Sequence, residues 1–270
     1  MSRWAGRFVV GEGYACYAGP TFATARHAHH ALQVVVAAGR PVRVRAGDDV
    51  TWRRVRGIVV PPDVPHAYDG RGAHAVLLYL DPESPSGRVL GAAGPWPAGA
   101  RAAAVPRALR TALHAVADAA AGPPAAFVAR VQDAVAVIGR TAARHGAAPQ
   151  LPDARVAVAL RRLWCAGTAR PTLATLARAA SISPSRLTVL FRAETGIPMR
   201  RYLLWIRLRR AAEQIAAESC TNLSAAAHAA GFADAAHMTR TFRRMLGVAP
   251  SAVFGHGDSA RAGREPVRRS

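Results

Sequence analysis

Two short stretches in the first 70 residues hold side chains suited to metal or ligand chemistry. Residues 26–33 read RHAHHALQ and residues 57–67 read GIVVPPDVPHA. On an extended strand, side chains two apart share a face, so His27 and His29 point one way and His30 the other. With Gln33 and His66 brought alongside, three imidazoles and one amide oxygen could hold a divalent metal with coordination positions left open. The same residues also suit a metal-free effector pocket, or simple local hydrogen bonding. His30 and His74 have weaker claims, and no residue is needed as a catalyst.

Strands must position this set. Residues 34–36, 42–45, 50–52, 58–60 and 75–80 are β-branched or aromatic runs separated by Gly, Pro and Asp, the pattern of a small antiparallel barrel or sandwich. After Pro106 the period changes. Leu109, Leu113 and Val116, then Phe127, Val131, Val135 and Ile138, fall at helical spacing, with a break at Gly122, Pro123 and Pro124. Residues 144–153, RHGAAPQLPD, read as a linker, and residues 255–270 lack an apolar period and read as a basic, disordered tail.

The C-terminal part repeats one plan twice. Leu173, Leu176 and Ala177 open a short helix, Ser181 and Ile182 turn, and Ser183 followed by Pro184 caps a second helix that Gly196 ends. Its apolar residues Leu187, Leu190 and Phe191 face inward, leaving Ser185, Arg186, Thr188, Val189 and Arg192 outward. About 50 residues on, Asn222 or Ser224 caps a helix through Ala226, Ala227 and Ala230. Gly231 and Phe232 then turn, and Asp234 caps a helix that buries Met238, Phe242 and Leu246 and stops at Gly247. Ala236, His237, Thr239, Arg240 and Arg243 belong to that helix's DNA-facing set. Short polar side chains and arginines on an exposed helix are what a major groove accepts. Residues 199–217 form a helix between the units, long enough to set them in successive grooves one duplex turn apart.

The charge agrees with a polyanionic partner. The 270 residues carry 36 Lys plus Arg, every one of them Arg, against 16 acids, for a net +20. Residues 155–250 hold 15 Arg and 4 acids, so the excess concentrates on the repeated helices. On the helix between the units, Arg200, Arg201, Arg209 and Arg210 are candidates for phosphate contacts. With 51% apolar residues the chain can build cores, which excludes wholesale disorder. The apolar runs are too short to cross a bilayer, no secretory leader is recognisable at the N-terminus, and a cytoplasmic location without membrane partners is expected. Cys16, Cys165 and Cys220 lack zinc or disulfide spacing and read as small buried residues.

Residues 156–254 resemble the AraC/XylS family of bacterial transcription regulators. The first unit matches in Leu176, Ala177, Ser183, Leu187, Phe191, Gly196, Tyr202 and the RLRRA of residues 207–211; the second matches in Ala227, Gly231, Phe232, His237, Arg240, Phe242, Gly247, Val248 and Pro250. Ala226, Ala236 and Met238 stand where the family commonly has Ile, Ser and Phe, so the second unit is expected to be less firmly packed or less base-specific. The resemblance implies two helix-turn-helix units binding promoter DNA, commonly as a homodimer under an N-terminal sensor, with RNA polymerase as a candidate partner. The spacing of His27, His29, Gln33 and His66 is similar to that of a metal-binding cupin, which makes a divalent metal the candidate cofactor.

The expected fold is α+β and multidomain. It comprises a cupin-like antiparallel barrel at 1–100, a helical dimerisation segment and linker at 101–150, an all-α double helix-turn-helix at 151–254, and the tail. The expected function is a non-enzymatic, sequence-specific regulator controlled by a small-molecule effector or metal in the barrel. Two rivals stand beside it: a cupin metalloenzyme fused to a DNA-binding unit, and a non-specific DNA coater.

Overall fold

A computed structural model describes residues 6–93, 102–145, 152–166, 171–216 and 222–254. The N-terminal part is a seven-stranded antiparallel sheet of β1 (Arg7–Gly11), β2 (Tyr14–Ala23), β3 (Leu32–Ala37), β4 (Val42–Ala46), β5 (Arg53–Val55), β6 (Gly57–Val60) and β7 (His66–Leu80). The expected antiparallel layer is present, but as an open, folded sheet rather than a closed barrel. Its order is β1-β2-β7-β3-β6, with β4 pairing β7 and β5. The 15-residue β7 pairs β2 on one side and, in succession, β4 and β3 on the other. Arg71 and Gly72 both adopt positive φ and bend β7 between those two partners.

Alternation along the strands separates two cores. Val34, Val36, Val76, Leu78 and Leu80 pack with Leu109, Leu113, Val116, Phe127, Val131 and Ile138, whereas Val35, Ala37 and Leu77 pack with Val42, Val44 and Tyr68. The first group is covered by α2 (Arg107–Ala119) and α3 (Pro124–His145), which follow the short α1 (Pro85–Ala93). Two expectations need correction. Residues 50–52 are not a strand: Val50 is 83% exposed, and the pairing segment starts at Arg53 because its partner is β4. Nor do His27 and His29 lie on a regular strand: they fall between β2 and β3, where His27 makes an isolated bridge with His66. The strands β1 and β2 carried no sequence signal, since β2 is buried on both faces for most of its length.

The C-terminal part contains α4 (Ala154–Cys165), α5 (Leu173–Ala179), α6 (Pro184–Thr195), α7 (Met199–Ala216), α8 (Leu223–Ala229), α9 (Ala235–Leu246) and α10 (Pro250–Phe254). Helix α7 serves both repeats. Its Tyr202 and Ile206 join the core of α4, α5 and α6, while Trp205, Leu208, Ala211 and Ala212 join the core of α8 and α9. The second core also takes in Ala31 and edges of Phe8 and Tyr79 from the sheet, so the N-terminal part and the second unit share apolar packing. Cys16 is buried as expected, Cys165 is exposed, and Cys220 lies outside the described residues, as do the tail and most of the expected linker.

Candidate DNA-binding face and junction site

Each repeat is built from its caps. Thr172 Oγ1 accepts from the Thr175 N–H at the start of α5, and Ser183 Oγ accepts from the Arg186 N–H at the start of α6. Asn222 and Asp234 do the same for α8 and α9. Between Asn222 and Ser224, Asn222 is the cap. The turns use a positive φ at Ser181 and at Gly231, and both long helices end on left-handed glycines, Gly196 and Gly247. Ser183→Ala should lower stability by about 1 kcal/mol, seen as an earlier urea midpoint; an unchanged midpoint would show that the Arg186 N–H finds water equally well.

On α6, Ser185, Arg186, Thr188, Val189 and Arg192 are all exposed, and Val189 is 61% exposed, a large apolar group suited to a thymine methyl. On α9, Ala236, Arg240 and Arg243 are exposed, whereas His237 and Thr239 are half-buried, with the His237 ring set edge-on against Phe232. The arginines of α7 do not all follow expectation. Arg209 is 6% exposed and ion-pairs with Asp81, and its guanidinium also donates to Gly11 O and Tyr14 O. Arg210 donates to Leu163 O and Trp164 O, and Arg201 pairs with Asp63 at 2.9 Å. Of the four phosphate candidates on α7, Arg200 alone is exposed.

The structure brings the histidine set together. His27, His29 and His66 each offer a nitrogen within 4.8 Å of the others, and they and Gln33 are 5% exposed or less. His27 and His66 donate Nδ1–H to Ala25 O (2.8 Å) and Val64 O (2.9 Å), which leaves their Nε2 lone pairs for the interior. Gln33 Oε1 lies 2.8 Å from His66 Nε2 and 3.0 Å from His29 Nε2. Since His66 has its proton on Nδ1, two acceptors face each other across 2.8 Å. Either the Gln33 amide turns to donate, or a cation sits among the lone pairs. Burial, with repulsion from a protonated His66 as the lesser cause, pushes the His27 pKa down to about 3, and burial also lowers those of His29 and His66, so all three rings are neutral at pH 7.

These donors fit the divalent metal that the cupin resemblance implies. Their nitrogens lie close enough together to be gathered onto one ion by small ring movements. His29 meets the cluster through Nε2, which faces Gln33 Oε1 at 3.0 Å. His30 belongs elsewhere: burial opposes its charge, but hydrogen bonds with Asp63 and Glu83 outweigh it and hold its pKa up at about 9.

His27 and Gln33 border an apolar pocket, partly open to solvent, between the sheet and the C-terminal helices. Its walls include Phe8, Tyr17, Tyr68 and Leu77 from the sheet, and Trp205, Leu208, Phe242 and Phe254 from the helices. The sequence pointed to the N-terminal half of this lining; the half contributed by α7, α9 and α10 carries no signal in the sequence.

Residues 176–255 match the helix-turn-helix domain family. Across most of the chain the fold is similar to solved structures of ToxT from Vibrio cholerae. One covers 89% of this chain and 96% of its own, at 10% identity and a TM-score of 0.56. The unsaturated fatty acid-bound wild-type form covers 96% and 99%, at 9% identity and a TM-score of 0.55. A third holds (E)-4-(8-methylnaphthalen-1-yl)but-3-enoic acid and covers 88% and 97%, at 10% identity and a TM-score of 0.56. At these identities the likeness establishes the shared fold. No curated protein matches the sequence.

Proposed function

We propose that this chain, which carries an AraC-type helix-turn-helix domain at residues 176–255, is a sequence-specific transcriptional regulator whose two recognition helices read successive major grooves. The carrying observation is the pair of capped, glycine-terminated helices, α6 and α9, whose cores meet on one helix, α7, while their arginine-bearing faces stay exposed. The junction cavity takes a small apolar effector, in keeping with its lining and with the acids held by two of the ToxT structures. An effector there touches both the sensor and the walls of the second unit, so it shifts the balance between docked and released arrangements of α9. In this reading α2 and α3, which bury one stripe on the sheet and expose the other, join two copies of the chain, and the promoter-bound dimer works with RNA polymerase in the cytoplasm.

Footprinting on the DNA flanking the chain's own coding sequence tests this. Random competitor DNA that displaces the footprinted fragment as well as the fragment itself would replace the specific regulator with a DNA coater. Arg240→Ala should weaken binding by about 1–3 kcal/mol and relax discrimination at one base pair. An equal loss on every sequence would reassign Arg240 to phosphate.

A further inference from the structure

The C-terminal end of α9 rests on the histidine site. Gly247, in the left-handed conformation at φ 70°, accepts at its carbonyl from the Ala25 N–H at 2.9 Å. A Cβ on Gly247 would lie 2.4 Å from Ala25 O, 2.6 Å from His27 Nδ1 and 2.9 Å from Thr24 Cβ. Ala25 O and His27 Nδ1 are the two ends of the hydrogen bond that aims His27 Nε2 into the cluster. Helix α7 closes a second side: the His29 ring stacks on Trp205 with centroids 6.0 Å apart. The cluster is therefore walled by backbone and aromatic groups of the DNA-binding half.

We propose that the second helix-turn-helix unit is a wall of a cation site at His27, His29 and His66, so that ion binding and the placement of α9 are linked; this rests on reading the cluster as a cation site. Closing three rings onto one ion requires the His27 loop to keep its Nδ1 bond to Ala25 O, and Gly247 covers that bond. By reciprocity, whatever moves α9 off the loop changes ion affinity by the same factor that the ion changes the docking of α9. Gly247 is a positioning residue here and touches no ion.

The test is a Co²⁺ titration of the full chain, followed by visible absorption and calorimetric stoichiometry. Wild type should take up one ion per chain, and His66→Ala should abolish uptake. Gly247→Ala should weaken Co²⁺ binding about 10–100-fold. Gly196→Ala is the control: it places alanine in the same left-handed cap, at φ 76°, with nothing within 4 Å of the added carbon, and should leave the affinity unchanged. In the wild type, Co²⁺ should also slow hydrogen exchange at the Ala25 amide, a readout that needs no variant. Absence of Co²⁺ uptake by the wild type would overturn the cation site and the linkage with it, leaving the Gln33 amide as the donor. Uptake with equal affinities in the two glycine variants, or unchanged exchange at Ala25, would overturn the linkage alone. DNA footprinting is independent of either result.

Discussion

Arg209→Ala is expected to lower stability by about 3–5 kcal/mol, because it leaves the Asp81 carboxylate buried without its cation. The two side chains are 6% and 5% exposed, and the Trp205 indole N–H, at 2.9 Å, is the neutral donor that remains to Asp81. Burial lowers the Arg209 pKa to about 10 while Glu213 opposes it, so at neutral pH the pair is ionic and the loss is that of a charged partner. Two carbonyls, Gly11 O and Tyr14 O, lose their donor as well. The melting temperature should fall by about 6–20 °C at this chain length. The double variant Asp81→Leu with Arg209→Met should recover much of the loss, since it removes both buried charges together. A single variant that melts like wild type, or a double variant no better than the single, would show that water enters the site. The same single substitution removes the hydrogen bonds from α7 to Gly11 O and Tyr14 O and leaves that of Trp205 as the remaining hydrogen bond from α7 to Asp81.

Phe242→Ala is expected to cost about 3–5 kcal/mol, with the damage confined to the second repeat. Phe242 is fully buried against the α8 and α9 core, faces the Phe254 ring edge-on, and forms part of the cavity wall. Its counterpart Phe191 lies in the separate core of the first repeat, edge-on to Tyr202 at 5.2 Å. The measurable consequence is a footprint that shrinks to one half-site while protection at the other remains. Phe242→Leu keeps most of the buried volume and should lose less. Full protection of both half-sites by Phe242→Ala would mean that the second core rearranges to fill the void. Ala227 and Met238, both fully buried, line the same core, and Ala226 is fully buried as well.

The local signals were the readable ones. Ser183-Pro184, Asn222 and Asp234 announce helix starts, and Gly196 and Gly247 announce ends, because a cap is satisfied within a few residues of itself. The i, i+2 spacing of His27 and His29 singled out two of the four clustered residues, although the segment that carries them lies between β2 and β3 and has only the isolated His27–His66 bridge. The strand β2 was not legible, because burial on both faces removes the alternation. The pairing of β4 with β5 was missed because Val50 looks like a strand residue by type although it is exposed.

By itself, the sequence determined the caps and ends of the repeated C-terminal helices, the apolar stripes of α2 and α3, several strands of the sheet, and that a duplicated helix-turn-helix follows a histidine set. Only the tertiary structure decided what those faces meet. Arg209 on α7 reads like any arginine on a basic helix, and its partner Asp81 is 128 residues away in the chain. The Gly247 carbonyl meets Ala25 across an even longer separation. The physical reason is that a guanidinium, or a glycine in the left-handed conformation, has the same local requirements whether it faces a phosphate, water or a buried carboxylate. The choice among them is made by desolvation, which depends on what the rest of the chain places there.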